Sequence, residues 1–193
     1  MTQKTRLLLF IFLLGGLVLG VGGAAGGQIA PDTPAANAGW QEVGVGSASG
    51  GGINQSDGVA QYPTLAIGPD GPIIAWSDSN SNGIGIFVRR WDGSAWVEMG
   101  VGSASGDGIS DGDKYVIAPS LAIGPDGPII AWQDSGDGDA EIYIRRWDGA
   151  AWVEMGAGSA GGGGISQNNG ESSGAALVSV PDGPIVTWYD DSS

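Results

Sequence analysis

Apolar and polar positions alternate along this chain in short blocks, not in helical stripes. The run Pro63–Ile67 predicts a strand, A. Gly68-Pro69-Asp70-Gly71 follows, where proline presets the first corner and glycine accepts positive φ, so it reads as a tight turn. Pro72–Ser77 predicts strand B, and the polar stretch Asp78–Gly83 predicts a loop. Ile84–Trp91 predicts strand C. Asp92-Gly93 is a two-residue hairpin signal, which places strand D at Ala95–Met99. A long connection from Gly100 reaches the next strand A at Pro119. Strand B is apolar on both sides: Ile73 and Ala75 fall on one face, Ile74 and Trp76 on the other. Such a strand is covered from two directions, whereas a half-exposed one alternates. Beyond the first 25 residues no helix-length amphipathic stretch appears.

The same blocks return. Trp40, Trp96 and Trp152 stand 56 residues apart, as do Trp76, Trp132 and Trp188. Residues 40–95 and 96–151 share 34 identities in 56 aligned positions without a gap. Four antiparallel strands per period, buried on both faces, predict an all-β chain built as a β-propeller with four-stranded blades. A parallel β-helix is the alternative. The expected layout is strand D at 39–44, blades at 62–99 and 118–155, and a half blade at 174–190, about 2.75 blades in 39–193. Closed propellers take roughly 4 to 8 blades. The expectation is therefore an incomplete propeller, a piece of a longer repeat protein. Self-assembly of chains into one closed ring is the other reading.

Composition adds an address. Met1–Arg6 is positive, Leu7–Val21 is apolar and small residues follow, which describes a secretory signal over 1–25. An uncleaved anchor is the alternative, and either places the rest outside the cytoplasm, secreted or at the cell surface. Residues 26–38, rich in Gly, Ala and Pro, read as a linker. The net charge of −14 disfavours nucleic acid and anionic lipid heads. With no Cys and no His, disulfides, thiolate metal sites and His-assisted nucleophiles are excluded.

Candidate chemistry is sparse. Trp76, Trp132 and Trp188 read as core. Trp91 and Trp147 end strand C beside an arginine pair, so they either stack on a ligand or clamp the hairpin. Arg89-Arg90 and Arg145-Arg146 are the only arginines after the leader, and alternation sends one of each pair to each face. Trp91, Trp147, Arg90 and Arg146 are therefore the candidate ligand-binding residues, with a glycan or a protein as partner. Asp78, Asn80 and Asn82 offer oxygens at alternate positions before Gly83, as a calcium loop begins, but the distal Glu is absent. A polar hairpin loop is the simpler reading; otherwise no cofactor is expected. The turns of the two repeats are identical and the longer loops differ, so a ligand is expected on the loop side.

Ser120–Trp132 and Arg145–Glu154 resemble repeats of bacterial secreted and cell-surface β-propeller proteins, and are distantly similar to the Asp-box repeats of the sialidase superfamily. That box separates its Asp and Gly, whereas Asp92-Gly93 and Asp148-Gly149 are adjacent here. The resemblance implies the fold and carries no activity with it. The expected function is a non-catalytic extracellular binding or adhesion module for carbohydrate or protein. A part of a sialidase-like glycoside hydrolase and a purely structural surface repeat are the alternatives.

Overall fold

The structure, a computed structural model, describes residues 10–11, 41–49, 51–80, 83–110, 115–136 and 138–191. The expected leader and linker lie outside these residues, except for β1 (Phe10–Ile11), which pairs antiparallel with β2 (Gln41–Glu42) in the predicted first strand D. Among the described residues there is no helix, and hence none long and apolar enough to cross a membrane.

The described residues are all-β, and their sheets are antiparallel. The first four-stranded sheet is the meander β3 (Ala60–Gly68), β4 (Gly71–Asn80), β5 (Gly83–Trp91) and β6 (Trp96–Glu98). The second is β7 (Val116–Gly124), β8 (Gly127–Asp134), β9 (Glu141–Trp147) and β10 (Trp152–Glu154). A two-stranded sheet, β11 (Ser172–Val180) and β12 (Gly183–Asp190), follows.

Two boundaries differ from the sequence pattern. Strand A begins at Ala60 and Val116, upstream of Pro63 and Pro119. The ladder breaks between Gln61 and Thr64, and between Ile117 and Ser120, with Tyr62 and Ala118 at φ of 51° and 54°. Proline cannot donate to a ladder, so the chain absorbs it in a bulge and resumes pairing. Strand B runs on to Asn80, which pairs with Gly83, so most of the predicted B–C loop is strand.

The sheets pack face to face, as the two-faced strand B requires. Ile73 and Ala75 meet Leu121, Ile130 and Trp132 of the second sheet. Ile74 and Trp76 point the other way and are covered by Ile53 and Ala60. Ile129 and Ala131 meet Leu177, Val186 and Trp188 of the last sheet. Trp76 and Trp132 are each 1% exposed, and full burial of a large apolar side chain contributes about 1.5–3 kcal/mol. Their rings stack on Phe87 and Tyr143 of the neighbouring strand, at centroid distances of 6.1 and 6.2 Å.

The short fourth strands leave much of β5 and β9 unpaired, and the Gly-rich connections supply the rest. Val88 N–H donates to the Ser103 carbonyl at 2.7 Å and Ile109 N–H to the Ile86 carbonyl at 2.8 Å. Ile144 and Ile165 repeat this pattern with Ser159 and Ile142. The Ser103 hydroxyl accepts from Met99 N–H at 2.8 Å and donates to the Val88 carbonyl at 3.1 Å, fixing the loop on the sheet.

Candidate functional site

The site grows from the hairpin that joins the third and fourth strands of each sheet. The Asp92 carboxylate accepts the backbone N–H groups of Ser94 and Ala95, both at 2.8 Å, and the Ser94 hydroxyl at 2.9 Å. Asp148 accepts those of Ala150 and Ala151, both at 2.8 Å. These bonds, led by Ala95 and Ala151, hold both carboxyls below their ordinary value. Both aspartates thus serve the turn.

The turn sets a tryptophan on each flank. Trp91 pairs with Trp96 and Trp147 with Trp152, each with ring centroids 5.9 Å apart in a tilted arrangement. Trp96 Nε1–H donates to the Val43 carbonyl at 2.7 Å, and Trp152 Nε1–H to the Met99 carbonyl at 2.8 Å. Trp91 lies over Gly44 and Trp147 over Gly100, where an added Cβ would stand 2.5 and 2.7 Å from the ring. Each aromatic pair therefore clamps its hairpin and also latches its repeat onto the one before it.

The arginines divide as alternation requires. Arg89 stands opposite Glu98 and donates to the Trp96 carbonyl at 3.2 Å. Burial pushes its guanidinium below the ordinary value and Glu98 pulls it back up. Arg145 donates to the Ile109 carbonyl at 2.5 Å, which ties the second sheet to the connection before it. Arg90 falls on the face of Ile73, its partner in the ladder.

Arg90, Trp91 and Trp147 line one cleft of about 190 Å3 between the first two four-stranded sheets, together with Asp70, Met99 and Pro125. Three of the four predicted ligand residues are thus brought together. Arg146 is not: it lies one repeat further on, opposite Ile129 and Val153. The cleft opens among the tight turns, at the opposite end of the sheets from the loops where a ligand was expected. The loop side carries a different cavity of about 180 Å3, beside Asn54, Ser56, Trp76 and Asp78.

Asp78, the first of the candidate calcium ligands, is 2% exposed. Its Oδ2 accepts from the Ser56 hydroxyl at 2.6 Å, from Trp76 Nε1–H at 3.1 Å and from Asn54 Nδ2–H at 3.5 Å. All three donors reach the same oxygen, while Oδ1 is buried with no hydrogen-bond partner among the described residues, and Asp78 lines the loop-side cavity. Asn80 lies in β4, while its side chain and the whole of Asn82 fall outside the described residues. No group of three or more Asp, Glu, His or Cys gathers as for a metal ion among the described residues.

Sequence reasoning missed a fastening set. Glu98 accepts from the Ser105 hydroxyl at 2.7 Å and from Ala104 and Gly102 N–H at 3.2 and 3.4 Å. These bonds, the one from Ser105 foremost, lower its carboxyl. Glu42 and Glu154 hold Gly46 and Ala48, and Gly158 and Ala160, in the same way. The available signal was a glutamate two residues after Trp40, Trp96 and Trp152, each followed by a Gly-x-Gly-Ser-Ala stretch or its close variant. No family model matches this chain, and no curated protein matches it either.

Proposed function

We propose that this chain is an incomplete β-propeller which acts outside the cytoplasm as a non-catalytic binding module, seating a carbohydrate in the cleft between its first two four-stranded sheets. The observation that carries the reading is the convergence of Trp91, Trp147, Arg90 and Asp70 around one apolar cleft. Indole surfaces suit the apolar faces of a sugar ring, and a cation and a carboxylate at the rim suit its hydroxyls. At about 190 Å3 the cleft falls below the roughly 300–1,000 Å3 of sites for larger ligands, which favours a single sugar unit. Propeller architecture is supported by the stacking of sheets and by the first strands β3, β7 and β11, each packed against the next.

Asp92 and Asp148 are engaged by the N–H groups of their own turns and Glu98 by its connection, so these three carboxylates serve the scaffold around the cleft. The test is a glycan array followed by titration of the hit, read by tryptophan fluorescence. Arg90→Ala should weaken binding at least tenfold, and Arg146→Ala should leave it unchanged. An array without hits, or equal affinity in the Arg90 variant, would overturn the reading. Turnover of aryl glycosides would replace it with the hydrolase alternative.

A further inference from the structure

Each internal contact between sheets joins two unlike faces. Ile73 of the first sheet meets Leu121 of the second, and Ile129 of the second meets Leu177 of the third. Ile73 and Ile129 are repeat counterparts, and so are Leu121 and Leu177. The chain thus shows twice which surface fits which.

Among the described residues, both surfaces occur once more without a match. Ile185, the counterpart of Ile73 and Ile129, is 51% exposed where they are 5% and 4%. Val178 and Val180 lie open beside it. At the other end, Leu65 is 43% exposed where Leu121 and Leu177 are 8% and 7%, and Ile67 is open next to it.

We infer that these faces are a self-association surface, and that the occupant is a second copy of this chain, docked head to tail. The Leu65–Ile67 face of one copy lies on the Val178–Ile185 face of the next, repeating the internal contact. Such a contact joins different patches on the two copies, so it propagates into a ring or an open row and does not stop at a symmetric pair. Both patches are apolar, and each chain carries a charge of −14, so screening salt strengthens the contact. The inference stands on the stacking of sheets and is independent of the carbohydrate cleft.

The experiment is size-exclusion chromatography with light scattering on the full chain, at low and high salt, beside Leu65→Asp and Ile185→Asp. The chain should elute at twice its 19.3 kDa or more, and more so at high salt. Each variant alone should lose this assembly and run as a monomer. Their equimolar mixture should give a one-to-one dimer, because each retains the face the other has lost. Far-ultraviolet dichroism checks that the variants fold, with Val178→Ser as a milder second variant that should shift the assembly toward monomer. A chain that stays monomeric at every salt concentration assigns the faces to some other occupant and overturns the inference. So do single variants that assemble like the parent, which would mean a symmetric contact elsewhere.

Discussion

The indole of Trp147 rests on Gly100, in the connection that leaves the first four-stranded sheet: a Cβ built there would stand 2.7 Å from the ring, at a φ of +98°. This approach joins the hairpin of one sheet to the connection after the sheet before it, so it measures the coupling between repeats. Gly100→Ala meets two costs. The backbone is held where side chains rarely go, which costs on the order of 1–3 kcal/mol, and the methyl group collides with the ring, for about another 1–3 kcal/mol. Gly149 has φ +103° and nothing within 4 Å, so Gly149→Ala carries only the first cost. Urea unfolding should place Gly100→Ala clearly below Gly149→Ala. Equal midpoints would mean that the ring does not sit there.

The two deepest tryptophans differ in one bond. Trp76 Nε1–H donates to buried Asp78, whereas Trp132 Nε1 has no hydrogen-bond partner among the described residues. Phenylalanine removes the same volume from both sites. Trp76→Phe also takes a donor from a buried carboxylate, so it should destabilise by about 1–3 kcal/mol more than Trp132→Phe. Chemical denaturation of the two variants under identical conditions decides the point.

Ser103 and Ser47 form a similar pair. Both are buried, but the Ser103 hydroxyl bridges Met99 N–H and the Val88 carbonyl, while the Ser47 hydroxyl has no partner among the described residues. Ser103→Ala should cost about 1–3 kcal/mol through the groups it leaves unpaired. Ser47→Ala should be close to neutral or slightly stabilising. A Ser47→Ala loss as large as that of Ser103→Ala would contradict the assignment.

Acid should loosen the hairpins and connections. Asp92, Asp148, Glu42 and Glu98 bind protons less readily when folded, so each contributes stability that is fully present above its unfolded value near pH 4 and lost as pH falls through its lowered folded value. Neutralising the surplus negative charge acts in the opposite direction, but salt screens that repulsion. In high salt the melting temperature should therefore decline on acidification below about pH 4, and Asp92→Asn should flatten the decline. A melting temperature that rises there would refute the hydrogen bonds to these carboxylates.

Much of this architecture was legible in the sequence because it follows local rules. Pro69-Asp70 and Asp92-Gly93 name their turns, and the unbroken apolar run of strand B reveals burial from two sides. The face assignment of Ile73 and Ala75 against Ile74 and Trp76 is a consequence of period-two alternation, and the core follows it. The connections were not legible. Gly100–Ser110 has no alternation to read, and it acts through backbone bonds to β5 and through Glu98. The cleft was only half legible. Trp91, Trp147 and Arg90 stood out, but their meeting depends on how neighbouring sheets pack, which no single repeat encodes.

The central claim is that each sheet shields the strand-B tryptophan of the next, and Trp132 between the first two sheets tests it most directly. The protein labelled with 5-fluorotryptophan has eight fluorine resonances to assign by single substitutions. Comparing spectra in H2O and D2O reads the solvent contact of each ring. The account predicts no isotope shift for Trp132 and Trp76 and a measurable one for Trp91. A full solvent shift at Trp132 would show that the two sheets do not pack together.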